Sequence, residues 1–205
     1  DTSLVPAGTK VAVLMGGPGS EREVSLHTGK SIADALRGAG VDAIDVLVDG
    51  PGFPMPEHTS LAFIAIHGTF GEDGELQAEL EARGIPYTGA GVAESRLAFD
   101  KLAAKQAFLA AGVPTPGHEV IPAGGVPSMP LPLVIKPPCE GSSVGVHIVR
   151  RPEELPAALA DVRRFGPEAL CEDFISGREL TVGILGDNPL PVVEIRPRSG
   201  FYDIS

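Results

Sequence analysis

The chain has 205 residues, 43% hydrophobic and 21% charged, with 16 basic against 27 acidic residues and a net charge of −11. This balance fits one large or two small globular domains. It excludes a general binder of nucleic acid or anionic membranes, because nothing offsets phosphate repulsion over the surface.

Val11–Met15 is a buried-strand run that ends in Gly16-Gly17-Pro18-Gly19. Ser20-Glu21-Arg22-Glu23 then matches the Ser-x-x-Glu capping box, predicting a helix from there to about Gly38. Strands are expected over Ala43–Val48 and Leu61–Ile66, separated by the Pro-rich turn 51–56, with a helix over Glu75–Arg83. This alternation implies a parallel sheet with ligands at the carboxyl ends of its strands. A long helix is expected over Glu94–Ala111. The texture then changes to strands, at His118–Ile121, Leu133–Pro137 and Val146–Val149. A helix over Pro152–Arg164 and strands over Ala169–Phe174, Glu179–Leu185 and Leu190–Arg196 complete the pattern. Residues 1–89 therefore read as one α/β domain, 90–171 as an α+β nucleotide domain, and 172–205 as the beginning of a third.

Cys139 and Cys171 are far apart, with neither a disulfide framework nor a CxxC pattern, and the five histidines show no zinc-type spacing. Residues 1–7 lack the basic and apolar segments of a signal peptide, and no apolar run is long enough to span a membrane. A cytoplasmic location is expected.

The run Leu133-Val134-Ile135-Lys136-Pro137, followed by Glu140-Gly141-Ser142-Ser143-Val144-Gly145, carries the most chemistry. A loop of small residues lets backbone N–H groups approach phosphate oxygens, and the strand lysine adds a compact positive charge. A P-loop would place its lysine at the end of the glycine loop and open a helix, and a protein kinase would place the loop before the strand lysine. Neither order is present. Strand, lysine, hairpin loop is the order of the ATP-grasp ligases; the plain alternative is a polar turn beside a surface lysine.

At the end of the first strand, Glu21 and Glu23 would repel phosphate from a helix N-terminus that otherwise attracts anions. Glu21 suits the ammonium of an amino-acid substrate better, and the absence of Gly-x-Gly-x-x-Gly weakens a dinucleotide reading. His67 heads the octet HGTFGEDG at the third strand's carboxyl end, where its N–H could meet a carboxylate; Glu72 and Asp73 read as turn and cap residues. Asp100-Lys101, with Lys105 one turn on, reads as solvated helix surface when taken alone. Cys171-Glu172-Asp173-Phe174-Ile175 ends a strand with two carboxylates beside an aromatic: a carboxylate there could accept from an adenine amino group while Phe174 and Ile175 cover the ring, the plain alternative being an edge strand with solvated acids. Glu179 could hold ribose hydroxyls.

Across residues 10–203 the segments GGPGSEREVS, HGTFGEDG, PYTGAGV, FDKLAAK, VIKP, EGSSVG, CEDFISGRELTV and SGFYD, in this order, resemble the D-alanine–D-alanine ligase family of ATP-grasp enzymes. The resemblance implies a Rossmann-like parallel α/β substrate domain (1–89), a central ATP-grasp nucleotide domain (90–171), and the start of the C-terminal ATP-grasp domain (172–205). It implies that MgATP phosphorylates one D-alanine, and that the amine of a second attacks the acylphosphate. By motif, Glu21, with Val24 and Ser25 beside it, would hold the first D-alanine's ammonium, and His67 would lie near its carboxylate. Ser142 would bridge Glu21 to the phosphate-covering loop. Lys101 and Lys136 would bind ATP phosphates, under Gly141 and the N–H groups of Ser143, Val144 and Gly145. Glu172 and the backbone of Asp173, Phe174 and Ile175 would take adenine, and Glu179 the ribose. A homodimer is also implied. The family's mobile-loop lysine and tyrosine, its arginine for the tetrahedral intermediate and its ligands for Mg2+ are not among these 205 residues, so this chain alone is expected to be inactive. A D-alanine–D-lactate ligase and a non-catalytic binding module are the alternatives.

Overall fold

A computed structural model describes Pro6 and residues 8–196. The segment Ser199–Asp203, which carries the last of the motifs above, lies outside the described residues. The chain divides into two compact units after Ala104.

The first unit holds a three-stranded parallel sheet in the order β2-β1-β3, made by β1 (Lys10–Gly16), β2 (Asp42–Val48) and β3 (Leu61–Ile64). β1 is the central strand, so both of its faces are covered and its sequence is an unbroken apolar run. Alternate residues serve opposite faces. Val11, Val13 and Met15 pack with Ala33, Leu26 and Leu36 of α1 (Arg22–Gly38), and Ala12 and Leu14 pack with Leu76 and Leu80 of α2 (Glu75–Ala82). A Cβ at Gly29 would stand 2.5 Å from Met15 Cβ, so that helical glycine sets how closely α1 approaches the sheet.

Two expectations need correction here. The capping box does not form: the helix begins one residue later, with Glu21 in the N-cap position at φ −92° and ψ 14° and no side-chain cap. Glu23 thus sits one residue short of the position from which it could reach back. The long helix over 94–111 is two helices, α3 (Val92–Phe99) and α4 (Lys101–Ala110). Asp100 turns extended between them, and its carboxylate accepts from the N–H groups of Leu102 (2.9 Å) and Ala103 (3.2 Å), capping α4.

Beyond α4 stands a four-stranded antiparallel sheet, in the order β4-β7-β5-β6, made by β4 (His118–Ile121), β5 (Leu133–Lys136), β6 (His147–Val149) and β7 (Ala169–Asp173). One face is covered by α5 (Leu155–Val162), whose Ala158, Leu159 and Val162 pack on Leu133, Ile135, Val149 and Cys171. Cys171 is wholly buried there. Because side chains alternate, Lys136 and Glu172 project from the opposite face; Glu172 pairs with Val134 and Leu170 with Lys136, which makes them diagonal neighbours. The expected strand 179–185 is two short ones, β8 (Glu179–Thr181) and β9 (Ile184–Leu185), pairing with β11 (Val193–Ile195) and β10 (Asn188–Pro189) respectively.

Candidate functional site

In the first unit a cluster forms at the carboxyl ends of β1 and β3. Arg22 pins the glycine turn: its guanidinium donates to the carbonyls of Gly17 (3.0 Å) and Val48 (3.2 Å) and pairs with Asp49 at 2.7 Å. The Glu21 carboxylate lies over Gly68, since a Cβ built there would be 3.2 Å from its Oε1. The neighbouring His67 has Nε2 at 3.3 Å from Thr28 Oγ1 and Nδ1 at 3.8 Å from Glu72 Oε1. Asp73 performs the turn work expected of it, accepting from the N–H groups of Phe70 (2.7 Å) and Glu75 (3.0 Å). Val24 is exposed and Ser25 fully buried.

Ser25 ties the cluster together. Its hydroxyl donates to Ala65 O (2.7 Å) and accepts from Gly16 N–H (2.9 Å), which links α1 to the ends of β1 and β3. Ser25→Ala is expected to cost about 2 kcal/mol, because buried groups left unpaired cost about 1–3 kcal/mol. Urea unfolding should show a lower midpoint at unchanged slope; an unaltered midpoint would refute the tie.

In the second unit Glu172 is the centre. Its Oε1 accepts from Lys105 Nζ at 2.5 Å and its Oε2 pairs with Lys136. Burial pushes the Glu172 carboxyl upward, but the two ammonium groups outweigh it and hold the group below its ordinary range. Lys105 also donates to Thr115 Oγ1 (2.9 Å) and Pro116 O (3.0 Å). Lys101 is the first residue of α4.

The loop after β5 is folded tightly. Ser142 and Ser143 have φ of +49° and +60°, a sparsely populated region for non-glycine residues that is characteristic of functional loops. Gly145, at φ +68°, is wedged between Pro137 and Phe165: a Cβ there would meet ring atoms of both at 2.9 Å. The Val144 N–H, expected over a phosphate, donates within the loop to Gly141 O at 2.9 Å. Phe174, just after β7, lies under Arg150, whose guanidinium carbon is 4.8 Å from the ring centre; the N–H of Asp173, the last residue of β7, donates to Gly117 O, while Ile175 and Glu179 are exposed.

Sequence reasoning missed Lys105, Arg22 and Arg150. Lys105 reads as helix surface because its partners lie 10, 11 and 67 residues away. The one available signal was the carboxylate on an otherwise apolar strand, which requires a cation.

Family models described as the N-terminus and C-terminus of D-ala D-ala ligase match residues 49–90 and 117–205. The crystal structure of D-alanine–D-alanine ligase from Bacillus anthracis superposes with a TM-score of 0.81 at 30% identity, covering 96% of this chain and 67% of that one. The chain belongs to the D-alanine–D-alanine ligase family. The same enzyme complexed with ATP matches with a TM-score of 0.80 at 29% identity, over 94% of this chain and 68% of that one. Among curated relatives, the D-alanine–D-alanine ligase of Citrifermentans bemidjiense is 50% identical over 95% of this chain and 65% of its own length. That of Methylacidiphilum infernorum is 44% identical over 94% and 64%. The chain thus spans about 65% of the length of the curated relatives it matches. Its mixed fold, a parallel sheet followed by antiparallel sheets, is the ATP-grasp architecture of this family.

Proposed function

We propose that this chain supplies the nucleotide-binding and first-substrate residues of an ATP-dependent ligase that joins two D-alanines. The observation that carries the reading is Glu172 gripping Lys105 and Lys136 on the sheet face opposite α5, with the strained Ser142–Ser143 loop leaving β5 directly after Lys136.

In this reading Lys101 and Lys136 bind the ATP phosphates, under Gly141, Ser142, Ser143, Val144 and Gly145. A point charge and backbone donors suit a transferring phosphoryl group, whose catalysis is mostly positioning and charge stabilisation. Glu172, Asp173, Phe174 and Ile175 take adenine, and Glu179 the ribose. Glu21 binds the first D-alanine's ammonium, beside Val24 and over the turn that Ser25 fixes, and His67 faces its carboxylate. Phosphorylation makes that carboxylate an acylphosphate; the second amine attacks its carbon, and phosphate leaves as the amide forms. Magnesium enters with the nucleotide. Among the described residues no cluster of His, Cys, Asp or Glu could hold a metal ion, so no magnesium ligand is assigned here.

We also read residues 1–89 as the substrate domain, 90–171 as the nucleotide domain and the rest as the start of a further one. The protein is placed in the cytoplasm, where ATP is available, as a homodimer. No described helix is long and apolar enough to cross a membrane.

The test is calorimetric titration of the 205-residue chain with ADP and with D-alanine. Binding of both ligands is expected, with L-alanine and D-lactate inert as controls. A chain that binds neither ADP nor D-alanine would overturn the reading.

A further inference from the structure

We infer that Lys105 is a positioning residue for the nucleotide: through Glu172 it fixes the place from which Lys136 presents its ammonium group. This rests on the nucleotide-site reading above.

An ammonium has three protons to donate. Those of Lys105 have three acceptors, Thr115 Oγ1, Pro116 O and Glu172 Oε1, and its side chain is 4% exposed. It therefore has neither a spare donor nor solvent access with which to bind phosphate. Lys136, at 22% side-chain exposure, is the outer partner of the same carboxylate. A glutamate held only by Lys136 could rotate about its last side-chain bond. Anchored at Oε1 from behind, it presents Oε2 in one place.

The anchor is itself fixed. Thr115 and Pro116 lie just before β4, Glu172 lies in β7 and Lys105 in α4, so three separate segments meet at one nitrogen. A buried lysine is a poor way to stabilise a fold, because apolar residues of similar volume commonly do as well or better. What an apolar residue could not do is orient a carboxylate.

The experiment is a double-mutant cycle on ADP affinity, measured calorimetrically with the wild-type chain, Lys105→Met, Glu172→Gln and the double variant. Lys105→Met is expected to weaken ADP binding at least tenfold. In the Glu172→Gln background the same change is expected to add less than twofold, because residues acting through one chain of contacts are non-additive. Unchanged affinity in a folded Lys105→Met variant overturns the inference. So does a tenfold loss that persists when Glu172 is already Gln, since general loosening of the fold would act in both backgrounds. Should Lys105→Met fail to fold, Lys105→Gln serves: it keeps a donor without the charge, and wild-type affinity there overturns the inference equally. No ADP binding by the wild-type chain overturns the underlying nucleotide reading, and the inference with it.

Discussion

Lys136→Met is expected to weaken ADP binding by about ten- to a hundredfold while leaving the chain folded. The side chain leaves the end of β5 on the face opposite α5, 22% exposed, and its ammonium rests on Glu172. Methionine keeps the length of the stem and deletes the charge. A hydrogen bond to a charged group contributes about 1.5–3 kcal/mol, which corresponds to a loss on the order of ten- to a hundredfold in Kd. The fold should tolerate the change, because Glu172 retains Lys105 as a buried cation. Calorimetric titration beside a thermal melt separates the two effects. Wild-type ADP affinity in the variant would sink the assignment of this face to the nucleotide.

Gly71→Ala is the most damaging single-methyl change the first unit offers. A Cβ at Gly71 would lie 2.4 Å from the backbone oxygen of Ile66 and 2.7 Å from its carbonyl carbon. A flexible side chain could move aside, but this obstacle is the main chain leading from β3 into His67. The Gly71 carbonyl is held as well, accepting from Gln77 Nε2 at 2.8 Å. Overpacking of a well-filled site costs about 1–3 kcal/mol, and a backbone clash belongs at the upper end, so about 3 kcal/mol is expected. Chemical denaturation should show the loss, and D-alanine affinity should fall with it as His67 is displaced. An alanine variant with an unshifted midpoint would overturn this expectation.

Much of this was legible in the residues. The apolar run Val11–Met15 announced a central strand because a strand covered on both faces cannot alternate. HGTFGEDG and the strand–lysine–loop order fell where local turn chemistry is strong, and the structure keeps both as compact turns. What the sequence hid were decisions made by distant partners. Asp100 stands among good helix formers, and only its extended backbone and capping role reveal a break. Lys105 looked solvated because nothing near it in the chain predicts a threonine, a carbonyl and a glutamate closing over it. The capping box failed on a one-residue offset, a precision that pattern matching lacks.

The thiols offer a practical handle. Cys171 is sealed in the face of β7 beneath α5, and burial, with Glu119, Glu172 and Asp173 nearby, pushes its thiol up to about 11. At neutral pH it stays protonated and out of reach of alkylating reagents. Cys139 is exposed and sits two residues ahead of Gly141. A maleimide fluorophore applied to this 205-residue chain should therefore label one position, at the root of the glycine-serine loop. Its emission would follow that loop in real time as nucleotide is added, without any engineered cysteine.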